Sequence, residues 1–121
     1  MKLRRSGKIV NISSSIVYSG GNLGAHYITA KAGVIGLTKS LARELGDHNI
    51  NVNAIAPGLT NSIDEQPPGY AEANERRVGL RAIKRDQLPS DVVGTLVYLL
   101  SSDSDFMTGQ TLIVDGGSRM N

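Results

Sequence analysis

The chain has no cysteine and no tryptophan, a single phenylalanine and no long apolar run. Without cysteine there can be no disulfide, no thiolate nucleophile and no sulfur-ligated metal site. That usage is compatible with a reducing cytoplasm. Aromatic residues make up 4% of the chain, so platforms for stacking single-stranded nucleic acid are poorly supplied. The formal net charge is only +2, and the densest basic cluster, Lys2, Arg4, Arg5 and Lys8, reads as a solvated helix end rather than a nucleic-acid patch. No apolar stretch reaches the roughly 18 residues of a membrane span. The positive N-terminus has no apolar stretch behind it and does not read as a secretory signal. Neither His26 nor His48 has a second ligand at metal spacing, so no catalytic metal is expected.

What remains is the composition of an ordinary globular domain, 40% hydrophobic and 20% charged over 121 residues. A chain of that size buries roughly 65% of its unfolded surface. Lys8 to Ile12 is short and β-branched, is stopped by three serines, and reads as a buried parallel strand. A Gly/Ser/Asn-rich loop follows as far as Ala25. From Tyr27 to Leu45, the apolar residues Ala30, Val34, Leu37, Leu41 and Leu45 recur at helical spacing, and Gly46 supplies a stop. Ile50 to Ala56 is a second strand, closed by Pro57-Gly58. Residues 59 to 80 are irregular, with a short helix near Tyr70. Pro89-Ser90-Asp91 opens another helix, Ser90 serving as its cap, and Thr111 to Val114 forms a third buried strand. This order is βαβ logic, so the fold class is α/β, with a parallel sheet and right-handed crossovers. Three strands form a small sheet for that class, and the pattern resembles half of a doubly wound domain.

Chemistry concentrates at the carboxyl ends of these strands, where open α/β sheets bind ligands. Tyr27 and Lys31 stand at i, i+4 near a helix start, so both lie on one face. An ammonium beside a phenol favours the phenolate, lowers the tyrosine pKa and suits it to proton transfer. Ser14 ends the first strand 13 residues before Tyr27. Pro57-Gly58 ends the second strand on the same rim. Each feature alone has a bland reading: a surface Tyr and Lys, a turn serine, a strand stop.

Taken together, Ile9-Val10-Asn11-Ile12-Ser13-Ser14, Tyr27-Ile28-Thr29-Ala30-Lys31, Asn53-Ala54-Ile55-Ala56-Pro57-Gly58 and Thr108 to Gly117 resemble the consecutive signature segments of the short-chain dehydrogenase/reductase family. The resemblance spans Gly7 to Gly117. It implies a Rossmann-like fold and a nicotinamide cofactor, NAD or NADP, with hydride transfer between a secondary alcohol and a ketone or aldehyde. Tyr27 would be the general acid/base, and Lys31 would hold the nicotinamide ribose and assist Tyr27. Ser14 would hydrogen-bond the substrate oxygen. Pro57, Gly58 and the backbone of Thr60 would meet the nicotinamide carboxamide. Ser62 stands where many relatives carry a cofactor-holding Thr, keeping the hydroxyl and losing the methyl. Relatives also form homodimers or homotetramers.

The family's Gly-rich phosphate turn has no counterpart here. Gly20, Gly21 and Gly24 lack its spacing and read as loop or pocket glycines. The expectation is therefore that residues 1–121 form a partial domain, the C-terminal catalytic half, with the dinucleotide-binding half upstream. His-Tyr-Ile-x-x-Lys resembles secondary-alcohol and pyridoxal-type dehydrogenases, while 3-oxoacyl-carrier-protein reductases share most of the same segments. The competing readings are a noncatalytic binding module and a truncated fragment.

Overall fold

The computed structural model describes residues 1–21, 24–62 and 68–120. Three parallel strands, β1 (Gly7–Ile12), β2 (Ile50–Pro57) and β3 (Thr111–Val114), lie in the order β1-β2-β3. The register pairs Ile9 with Val52, Asn11 with Ala54 and Ile12 with Ile55, then Pro57 with Val114 on the other side. Helix α1 (Ala25–Leu45) connects β1 to β2, and α2 (Tyr70–Leu80) and α3 (Ser90–Leu100) lie between β2 and β3.

The central strand carries the burial. Val52, Ala54, Ile55 and Ala56 are wholly inaccessible, as expected of a strand covered on both faces. The two outer strands do not match the expectation of buried strands. Both are half-buried, and Ile12 is 48% exposed, because each has a neighbour on one side only among the described residues. Side chains alternate along β1. Ile9 packs with Leu41 against Ala42, Leu45, Ile50 and Val52 on the α1 face. Lys8, on the opposite face, reaches Ser104 Oγ at 3.1 Å and Asp105 at 2.7 Å beyond the end of α3. Lys8 thus has a structural partner, whereas Lys2 makes only a loose exposed pair with Glu44 at 3.6 Å.

Three local expectations are corrected. Helix α1 starts at Ala25, two residues before Tyr27, and runs into a short 3-10 turn at Gly46–His48. Gly46 itself is right-handed. The chain turns at Asn49, whose φ of 53° is left-handed, a conformation asparagine tolerates better than most residues. The buried face of α1 runs through Thr38, Ala42 and Leu45, while Ala30 and Leu37 are exposed. A buried threonine displaces the apolar stripe because Thr38 Oγ1 accepts from Asn11 Nδ2 at 2.9 Å and donates to Val34 O at 2.7 Å. Finally, Ser90 is the first residue of α3 and makes no capping bond. Asp91, in the first turn, bonds outward instead, its carboxylate accepting from Leu88 N at 2.8 Å.

Candidate active site

Parallel strands bring the carboxyl ends of β1 and β2 to one rim. The backbone ladder continues past β1, with Ser13 N donating to Ile55 O at 2.8 Å. Ser14, in extended conformation, then caps a short 3-10 turn at Ser15–Tyr18, its Oγ accepting from Ile16 N at a long 3.4 Å. A hydroxyl that only accepts weakly keeps its own proton available for a ligand.

The chain returns to α1 through Gly20 and Gly24, with φ of 62° and 84°. These left-handed turns suit glycine and agree with the reading of loop glycines; Asn22 and Leu23 lie outside the described residues. Gly24 precedes Ala25, so Tyr27 and Lys31 sit in the first two turns of α1 on one face. Lys31 Nζ is 5.9 Å from the Tyr27 ring centroid and donates to Ile12 O, the last carbonyl of β1, at 3.1 Å. An ammonium has three donors, so this bond leaves capacity for a ligand at the strand end. Tyr27 is 36% exposed. Tyr27 and Lys31 thus share one face of α1, with Lys31 bonded to the end of the strand that Ser14 follows.

The second group is held differently. Pro57 ends β2, and Gly58 N donates to Val114 O at 2.8 Å. A side chain at Gly58 would collide with Gln87 Oε1 at 2.7 Å and Asp115 Cβ at 2.8 Å, so this position requires glycine for space rather than for φ. Thr60 turns its hydroxyl back onto Gly58 O at 3.2 Å and bridges to Gln87. Ser62 is exposed at the end of the described loop. Asp64 and Glu65, in the irregular stretch after Leu59, lie outside the described residues.

Sequence reasoning missed the residues that hold this loop. Arg81, buried, donates to Leu59 O at 2.7 Å and Arg85 O at 2.6 Å. Gln87 accepts from Asn61 N through its backbone carbonyl and donates Nε2 to Val114 O, both at 2.8 Å. Asp115, within the segment Thr108 to Gly117, accepts from Gly117 N and Ser118 N at 3.1 Å. None of the three belongs to a periodic pattern that would have singled it out. A cavity of about 200 Å³ lies beside them, lined by Arg81, Arg85, Gln87, Asp91 and Val114 among others. It contains none of Ser14, Tyr27 and Lys31, and its facing charges are already paired: Arg85 grips Asp91 with two bonds of 2.7 Å. Those bonds, with the Leu88 N–H, hold the Asp91 carboxyl well below the usual carboxylate range.

A model of the family described as enoyl-(acyl carrier protein) reductase matches residues 1–119. The 2-dehydro-3-deoxy-D-gluconate 5-dehydrogenase of Escherichia coli is 43% identical over 92% of this chain. A 3-oxoacyl-[acyl-carrier-protein] reductase of Staphylococcus aureus is 43% identical over 99% of it. The chain belongs to the short-chain dehydrogenase/reductase family. It spans about half the length of these relatives, 44% and 48% respectively. The crystal structure of a 3-oxoacyl-[acyl-carrier protein] reductase from Brucella melitensis superposes on all of this chain with a TM-score of 0.88 and 38% identity, over 45% of its own length. A second Brucella melitensis structure, determined with bound NAD, gives a TM-score of 0.84 over 44% of its length. The Rossmann-like α/β fold is thus the family's fold. Among the described residues no helix is long and apolar enough to cross a membrane.

Proposed function

We propose that this chain supplies the catalytic half of an NAD- or NADP-dependent oxidoreductase that interconverts a carbonyl and a secondary alcohol. The observation that carries the proposal is the placement of Lys31 one helical turn from Tyr27, its ammonium against the last carbonyl of β1, two residues before Ser14 in the chain. The donor set fits the nicotinamide-ribose end of such a cofactor: Lys31 has donors to spare, the Tyr27 phenol is open, and the backbone at Gly58–Thr60 is fixed on the same rim. The bound cofactor supplies or accepts the hydride.

Every other task falls to side chains of this chain. Tyr27 Oη delivers a proton to the substrate oxygen in the reductive direction and removes it in the oxidative one. The Lys31 ammonium stabilises the negative charge left on that phenol oxygen. Ser14 donates its hydroxyl to the substrate oxygen, where charge develops in the transition state, and orients the carbonyl for attack. Pro57, Gly58, Thr60 and Ser62 border the cofactor on the β2 side, Ser62 offering its hydroxyl. The relatives' names point to a 3-oxoacyl thioester or a keto sugar acid as the substrate class.

The test is titration of the purified chain with NADH and NADPH, followed by nucleotide oxidation with a 3-oxoacyl thioester. Tyr27→Phe is expected to lower turnover by about 10²–10⁴-fold, the range for loss of a positioned acid/base, with nucleotide affinity nearly unchanged. Equal turnover in Tyr27→Phe and the parent chain would remove Tyr27 from its role. A noncatalytic module is the second reading, supported by the outer edge of β1, which no described strand pairs. Saturable nucleotide binding with no turnover would favour it.

A further inference from the structure

Along the α1 face of β1, Ile9 is followed by Asn11 and Ser13, and the contact with α1 turns from apolar to polar. Ser13, only 3% exposed, donates its hydroxyl to Lys31 O at 2.7 Å. Lys31 returns a bond from its Nζ to Ile12 O at 3.1 Å. Residue 31 is thereby gripped at both its backbone and its side-chain end by the dipeptide 12–13. Seven residues further along α1, hence two turns on and on the same face, Thr38 takes the bond from Asn11. Opposite these residues β2 presents Ala54 and Ala56, small enough for the helix to approach.

We propose that Ser13 is a positioning residue, which by holding the Lys31 carbonyl fixes the register of α1 on β1 and so sets Tyr27 and Lys31 relative to Ser14. Apolar contact is non-directional and tolerates sliding, whereas a hydrogen bond weakens steeply outside a narrow range of distance and angle. Ser13 adjoins Ser14 in the chain, so the bond that locates the helix is made one residue from the group that locates the substrate. A misplacement of about 1 Å can cost on the order of 10²-fold in rate, so this bond contributes to chemistry out of proportion to its contribution to stability.

The inference rests on the oxidoreductase reading for its effect on rate, and its structural half is tested separately. Ser13→Ala and Ser13→Thr are made in the full 121-residue chain. Amide hydrogen exchange is followed alongside NADH or NADPH oxidation with an acetoacetyl thioester. In Ser13→Ala, exchange accelerates at residues 28–35 and stays unchanged at 41–45; kcat falls about tenfold, within the cost of a sub-ångström misplacement, and KM for the thioester is unaltered. Ser13→Thr, which retains the hydroxyl, recovers most of the lost kcat. Unchanged exchange at 28–35, uniformly faster exchange throughout α1, or local acceleration with unaltered kcat would each overturn the proposal. A parent chain that binds nucleotide without turning over would defeat the oxidoreductase reading, and the exchange pattern would still decide whether Ser13 sets the helix register.

Discussion

At the amino end of the sheet α1 is held by apolar contact, Ile9 and Leu41 packing on Ala42, Leu45, Ile50 and Val52. At the carboxyl end, the same helix and strand are joined by the bonds of Asn11, Ile12 and Ser13 to Thr38 and Lys31. The loop after β2 repeats this pattern, strapped by Arg81 and Gln87 instead of packed. The apolar end supplies cohesion and the polar end supplies geometry. A site that must hold proton-transferring groups at hydrogen-bond distance gains more from directional bonds than from additional apolar area.

The comparison breaks if damage at the apolar end changes chemistry as much as stability. Leu45→Ala deletes a buried branched side chain from the lower cluster and should cost about 2–4 kcal/mol, the largest effect on folding expected here. Denaturant unfolding measures the loss, and nucleotide oxidation per folded molecule should stay within about twofold, since only transition-state contacts alter the rate constant. A specific-activity loss comparable to that of Tyr27→Phe would mean that the two ends are not separable.

Gly58→Ala probes the polar end. The added Cβ meets Gln87 Oε1 and the Asp115 backbone and side chain, neither of which can retreat without releasing Val114 O or the turn at Gly117. Overpacking of this kind costs about 1–3 kcal/mol. Here the smaller stability loss should bring the larger functional one, read as weakened NADH or NADPH binding in the titration. Unchanged nucleotide affinity would sever the loop from the site.

The apolar end was the more legible in sequence. Strand positions, the α1 span and the parallel order follow from periodicity and breakers, and Tyr27 with Lys31 follows from helical spacing. The polar end was legible only where one residue type points to one chemistry. Three consecutive serines are alike as letters, and only the pleat of β1 decides that Ser13 faces α1 while Ser14 caps the next turn. Helical spacing does not single out Thr38, because its partner Asn11 lies 27 residues away. Arg81, Gln87 and Asp115 come from segments with no period, and their partners lie across the fold. The Ser90 cap failed because Pro89 stands at the helix boundary and Ser90 already lies within the helix, where it makes no capping bond.

The weakest polar tie gives the finest test. Asp91 is held by Arg85 and Leu88 on an open surface, unlike the buried bonds of Ser13 and Gln87. Its carboxyl titrates below the ordinary range because the Arg85 bonds, followed by the Leu88 N–H, favour the ionised form. A carboxyl depressed in the folded state contributes stability that is fully present above its unfolded value and fades as the pH falls through that value towards the folded one. The pair's contribution should therefore persist at neutral pH and decline below about pH 4, where free carboxylates protonate. Asp91→Asn should lower the thermal midpoint slightly at neutral pH, by less than Gly58→Ala, with the gap closing as the medium is acidified. Salt should narrow the gap as well, because exposed charges are screened. A gap that survives both acid and salt would assign the Asp91 effect to the neutral hydrogen bond at the start of α3. The Arg85 pair would then lose its electrostatic part, and the exposed and buried ties at this end of the sheet would work by the same means.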